Sequence, residues 1–164
     1  MRLTIALAAL AISVPAAAAD WYWYDGQTRR DLAVDRSSVA EFGAAKHGGS
    51  AQPAVRKALG AVDPKSLDAG TSPMFVDASS PASARRALPG GVIVTLRAPM
   101  DPAALEAALA QFGTRPVRAV GADGRRWLVE GTAGVASLEL ANRLHESGLF
   151  ESAAPNWWRE RALK

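Results

Sequence analysis

Between Val92 and Ala154 the spacing of apolar residues changes period in a regular order, and nothing else in the chain restricts its fold as strongly. Val92, Val94 and Leu96 alternate with Ile93 and Thr95, the two-residue period of a strand with one buried face. Asp101 then occupies an N-cap position with Pro102 as the first helical residue. Leu105, Leu109 and Phe112 share one helical face, and Gly113 ends the pattern. A second strand is expected at Val117 to Val120. Asp123-Gly124 turns the chain into a third strand, Arg126 to Glu130. A second helix follows from Val135 to Ser147, with Leu138, Ala141 and Leu144 inward and Gly148 as its stop. Phe150 to Ala154 reads as a last short strand.

The order βαββαβ predicts an α+β module of the ferredoxin-like arrangement over residues 91–158: an antiparallel sheet with both helices on one face. Its other face is left without helices. Alternation assigns Ile93, Thr95, Arg118, Leu128 and Glu130 to that face, a mixed set that suits either a docking surface or an ordinary solvated one. The fold alone implies little about function. At this length one core supplies only a few kcal/mol without disulfide or metal, so the module is expected to be marginal alone and firm when docked.

The first 19 residues read as a secretion signal. Arg2 is the positive start, Leu3 to Val14 the apolar run, and Ala17-Ala18-Ala19 the small-residue cleavage site before Asp20. The run is too short to anchor in a bilayer, and no later stretch approaches about 20 consecutive apolar residues. The expectation is an exported chain, periplasmic or secreted, without stable membrane anchoring. It has no cysteine, so packing or a partner must replace disulfides. His47 and His145 are the two histidines and neither has ligand spacing with carboxylates, so no metal and no cofactor are expected. The formal charge of +3 includes Arg2, and the remaining arginines are scattered, which argues against nucleic acid as a partner.

Upstream of the module, residues 20–42 read as an aromatic β-hairpin segment: Trp21-Tyr22-Trp23-Tyr24, then Asp25-Gly26 as the turn, then Thr28 to Leu32. Four aromatics in a strand serve as a sugar or peptide platform or, more often, as packing. Residues 43–90 are rich in Ala, Gly, Ser and Pro and read as a poorly ordered linker or arm. Within them, Pro53 to Leu59 reads as a short helix and Met74-Phe75-Val76 as a brief strand. Residues 159–164 form a basic tail.

The segment Gly90 to Leu96, the turn at Asp123-Gly124 and the run from Leu138 to Asn156, closing on Ala154-Pro155-Asn156, resemble the amino-terminal prodomain of secreted subtilisin-like serine proteases, of the fervidolysin-like kind. The aromatic start with Asp25-Gly26 resembles the leading strand of the same prodomains. The resemblance implies a protein that assists folding of a subtilisin-like protease and inhibits it, its sheet docked on the enzyme and its tail in the substrate cleft. That tail would be Ala153, Ala154, Pro155, Asn156, Trp157 and Trp158, binding by β-augmentation. Asp123 and Glu130 are candidate caps for helix amino-termini of the enzyme. Only Arg159 to Lys164 follow, so the leading expectation is a stand-alone binder, monomeric when free and acting in trans. The alternatives are a truncated or split-gene prodomain without activity of its own, and a periplasmic ligand-binding or structural module.

Three short features need separate readings. Asp35, His47-Gly48-Gly49-Ser50 and Gly70-Thr71-Ser72-Pro73-Met74 echo subtilisin triad motifs. Subtilisins, however, separate histidine from serine by roughly 150 residues, whereas His47 and Ser72 share one tract, so no catalytic residue is expected and the chain is not read as an enzyme. Trp157-Trp158 with Arg159, Arg161 and Lys164 lacks the long amphipathic helix of an interfacial anchor. His145 reads as an exposed residue near a helix carboxy-terminus, where its charged form is favoured.

Overall fold

The computed structural model describes residues 21–42, 52–80 and 84–161. The secretion signal, His47 and its neighbours, and the end of the basic tail lie outside these described residues. The elements in chain order are β1 (Trp21–Asp25), β2 (Thr28–Glu41), β3 (Ala54–Lys57), β4 (Thr71–Asp77), β5 (Arg86–Ala87) and β6 (Val92–Thr95). They continue with α1 (Pro102–Ala110), β7 (Pro116–Ala119), β8 (Arg126–Val129), α2 (Val135–Glu146), β9 (Ser152–Pro155) and β10 (Trp158–Arg159). The chain is mixed α and β, mostly strands, arranged as two antiparallel sheets with two helices.

The first sheet runs β1-β2-β4-β5-β10, with β3 also paired to β2. β1 and β2 form the expected hairpin. Asp25 pairs with Thr28, which makes Gly26-Gln27 the two-residue loop, and Gly26 supplies the positive φ of 61° that such a loop requires. The tract read as a linker supplies much of this sheet. Thr71–Asp77 and Arg86–Ala87 are strands, and Met74, Phe75, Ala87 and Leu88 are fully buried. Strand β4 contains the brief strand expected at Met74-Phe75-Val76 and extends back through Pro73 to Thr71. Pro73 pairs with Val39 beside the register shift between Asp35 and Val39, where the ladder is already interrupted, so its missing N–H is tolerated. The expected helix at Pro53 to Leu59 is strand β3 instead. Its residues are all exposed, so no apolar helical stripe is there to bury, whereas its backbone finds partners along Ser38 to Glu41.

The second sheet has the order β7-β8-β6-β9, every pair antiparallel. α1 starts where expected. The Asp101 side chain accepts a hydrogen bond from Ala103 N at 2.9 Å with Pro102 at the first position, and Leu105 and Leu109 are fully buried. α2 likewise matches the apolar pattern, with Leu138, Ala141 and Leu144 buried and Gly148 at φ 69° just past its end. Between sheet and helices lies one core of Val92, Val94, Leu96, Leu105, Leu109, Val129, Leu140, Ala141, Leu144, Phe150 and Ala153. β9 begins two residues later than expected, and Phe150 still keeps its place in this core ahead of the strand.

The two sheets are joined rather than strung on a linker. Trp23, Leu32, Phe75 and Leu88 of the first sheet form one cluster with Leu138 of α2, and Trp157 packs against it. Trp157 meets Trp23 at 5.6 Å and Phe75 at 5.9 Å between ring centroids, both edge to face. Gly134, at φ 82°, starts α2 where a Cβ would lie 2.9 Å from Thr71 O, so a side chain there would force the helix away from β4. Trp157→Ala is expected to lower unfolding free energy by about 3 kcal/mol. Urea unfolding followed by circular dichroism should show this as an earlier midpoint of a single transition, because both sheets lose the shared cluster together.

Candidate functional site

The six residues read as a free tail are built into both sheets. Ala153, Ala154 and Pro155 pair with Val94, Ile93 and Val92, and Ala153 is 1% exposed. Asn156 N donates to Gly91 O, and Asn156 Nδ2 donates to Gly90 O, both at 3.1 Å. Trp157 enters the cluster that joins the sheets, and Trp158 pairs with Ala87 while packing against Ala40, Phe42, Met74 and Ala87. The expectation that Ala153 to Trp158 lie free to thread a cleft is therefore corrected. The alternation that suits a peptide in a groove also suits an ordinary strand, and two indoles gain more from the chain's own core than from water.

The chain end is then pinned by charge. Arg85 donates from Nε and Nη2 to the two Glu160 carboxylate oxygens, each at 2.7 Å, and from Nη1 to Asp35 Oδ2 at 3.2 Å and Ser38 Oγ at 3.0 Å. Desolvation works against the charged form of Asp35. Hydrogen bonds from Ser37, Ser38 and Arg85 outweigh it and bring the carboxyl down to about 2. Asp35 is thus a structural anion. Ser72 is equally structural: it is fully buried, its hydroxyl donating to Pro73 O at 2.7 Å and accepting from Leu88 N at 2.9 Å.

On the helix-free face of the second sheet, Ile93, Thr95 and Glu130 are half-buried and Arg118 is exposed. Leu128 departs from the expectation at 2% exposure. It stands opposite Ile93 and Arg118 in the ladder and fills the space left by Gly91, where a Cβ would lie 2.8 Å from its Cδ1. It supports the face without being a contact residue. Arg126, alternating with Trp127, takes its place on the surface. The two candidate carboxylates sit at opposite ends of β8. Glu130 is paired with Arg115 at 2.7 Å, whereas Asp123 caps its own turn by accepting from Arg125 N at 3.2 Å and stays half exposed.

A cleft of about 810 Å³ opens between β1, the loop around Asp63 and α2, with Trp21, Tyr22, Arg36, Lys65, Glu139 and Arg143 among its lining. Beside it, Tyr22 and Tyr24 donate through their hydroxyls to Glu146 Oε1 at 2.8 and 3.2 Å, and Asn142 Nδ2 donates to Tyr22 O at 2.9 Å. Sequence reasoning missed this cleft because its walls come from four separate segments of the chain, β1, β2, the Asp63 loop and α2, none with a motif of its own. His145 also differs from its reading: it is partly buried, stacked on Tyr24 at 4.0 Å, and burial lowers its pKa against the opposing charge of Glu146. Among the described residues no group of three or more His, Cys, Asp or Glu could hold a metal ion, and no helix is long and apolar enough to cross a membrane.

These shifts set the acid response. A histidine held neutral by the fold binds a proton more readily once unfolded, so its contribution is present above its ordinary value of 6.5 and is lost as pH falls below it. Asp35, depressed from 3.8 to about 2, adds stability above the first value that disappears as pH falls through the second. Stability measured by urea unfolding is expected to decline in two steps on acidification, the upper one absent in His145→Gln and the lower one reduced in Asp35→Asn. No protein-family model, curated protein or solved structure matches the chain.

Proposed function

We propose that this chain is an exported, non-catalytic protein that binds a subtilisin-like serine protease through the helix-free face of its second sheet, as inhibitor, folding assistant or both. The observation that carries the reading is the order βαββαβ with strands arranged β9-β6-β8-β7, which we assign to the ferredoxin-like arrangement of such prodomains. The contacts of β6 and β8 run within the sheet and to α2, which leaves Ile93, Thr95, Arg118 and Arg126 facing outward. Four short strands make a patch of only about 15 Å by 13 Å. A stable interface needs about 800 Å² per partner, so docking has to draw in the neighbouring loops. The loops carrying Pro99 and Gly124 lie against each other beside this sheet, Met100 among them is 42% exposed, and Asp123 is the carboxylate we assign to a helix amino-terminus of the enzyme.

Occupation of the cleft by Ala153 to Trp158 has no part in this proposal, because those residues are consumed by two sheets. Truncation after Ala153 is correspondingly a poor test: it removes Trp157 from the core and abolishes folding together with any binding. Surface changes discriminate better. The chain beginning at Asp20 should slow a subtilisin-like protease in a titration. Thr95→Arg and Arg118→Glu should each weaken that inhibition at least tenfold while leaving the unfolding midpoint unchanged. A wild-type chain that neither inhibits nor speeds refolding of any exported subtilisin-like protease of the same organism defeats the proposal.

A second reading, a ligand-binding module, is favoured by the cleft at Trp21 and Tyr22. In that case a neutral oligosaccharide should change tryptophan fluorescence in the wild type and not in Trp21→Phe. Trp23 and Trp157 are committed to the core and should not respond.

A further inference from the structure

Arg85 immediately precedes Arg86, where strand β5 begins, and alternation along the extended backbone points the two to opposite faces of the first sheet. The fold treats them oppositely. Arg85 is neutralised by Glu160 and Asp35. Arg86 is half-buried, has no carboxylate at ion-pair distance among the described residues, and has its Nε buried without a hydrogen-bond partner. The residue directly across the ladder from it is another cation, Arg159. The Arg86 guanidinium carbon lies 5.5 Å from the ring centroids of both Trp23 and Trp157, so two indole faces stand where counter-charges would be expected.

Like charges directly opposite in a sheet are destabilising, and so is a partly buried guanidinium without an anion. Burial, followed by the charge of Arg159, holds Arg86 below the usual guanidinium range, and the charges of Asp77 and Asp25 only partly oppose this. We propose that Arg86 and Arg159 form a carboxylate-binding site on the first sheet, walled by the indoles of Trp23 and Trp157. A guanidinium fork matches the two oxygens of a carboxylate, and the anion relieves the repulsion between the two arginines. Asp25 and Asp77 flank the site and repel a polyanion, so the group that fits is a single compact negative charge. It can come from a small organic acid or from one acidic side chain of a protein partner. The site stands apart from the protease-binding face and does not depend on that reading.

The test uses the chain from Asp20 at constant pH and ionic strength, with sodium chloride replaced stepwise by sodium acetate, and in parallel with the blocked peptide Gly-Glu-Gly added. Acetate should raise the thermal midpoint in a saturable way and shift the indole N–H signals of Trp23 and Trp157 but not that of Trp127. Arg159→Gln should start from an equal or higher midpoint in chloride, since it removes the repulsion, and its response to acetate should be at least tenfold weaker. Arg118→Gln should respond as the wild type does. Acetate binding more tightly than the peptide assigns a free acid, and the reverse assigns an acidic segment of a protein. Binding of neither, or an undiminished response in Arg159→Gln, overturns the proposal.

Discussion

The packing of Trp157 against Trp23 and Phe75 holds the two halves of this protein in one structure. Each half has a core of its own: the second sheet closes over α1 and α2, and the first buries Ala40, Phe42, Met74 and Ala87 on its far face. Each core is small, and with no cysteine in the chain neither has a disulfide to reinforce it. The shared cluster adds to both, because aromatic residues bury more area per ordered side chain than the alanines that dominate α1. The folding unit is thus both sheets together rather than the second sheet alone.

That join sets the shape of everything near it. For Trp157 to reach the first sheet, the chain must leave β9 and enter β10 within two residues, which places Asn156 against Gly90 and Gly91. Both glycines have positive φ, and a Cβ at Gly90 would lie 2.6 Å from Gly131 O, so the crossing point has no room for side chains. The same closeness brings β1 alongside α2, where two tyrosines and His145 meet Glu146 and where the polar cleft opens. The end of the chain acts as structure, and the surfaces proposed for partners are the helix-free sheet face, the cleft and the Arg86 side of the first sheet.

How legible this was in the sequence varies with the range of the interactions involved. The start of α1 at Asp101-Pro102, the stop of α2 at Gly148 and the turn at Gly26 were readable, because each depends on residues a few positions apart. Strand β4 was only half visible, since Pro73 reads as a breaker until its pairing at a register shift is known. Strands β5 and β10 have two residues each and no pattern of their own. They exist because Arg86 and Ala87 find Arg159 and Trp158, and the Arg85–Glu160 pair that secures them spans 75 positions. The candidate site divided the same way: Thr95 and Arg118 fall on the outer face as alternation requires, whereas Leu128 is buried because Gly91, in the neighbouring strand's approach, leaves space for it.

The sequence by itself determined the order of strands and helices from Val92 to Pro155, the starts of both helices, the stop of α2 and the hairpin that opens the first sheet. Those features come from apolar periodicity, side-chain caps and the freedom of glycine, all short-range effects written in neighbouring residues. Only the tertiary structure decided that the glycine- and proline-rich middle belongs to a sheet, that the terminal tryptophans are core, and that Arg86 and Arg159 face each other across a ladder. Strand pairings are made by backbone groups that nearly every residue carries alike, and the packing of Trp157 and Trp158 depends on residues far away in the chain, so these partners are chosen by the whole fold and leave no local mark.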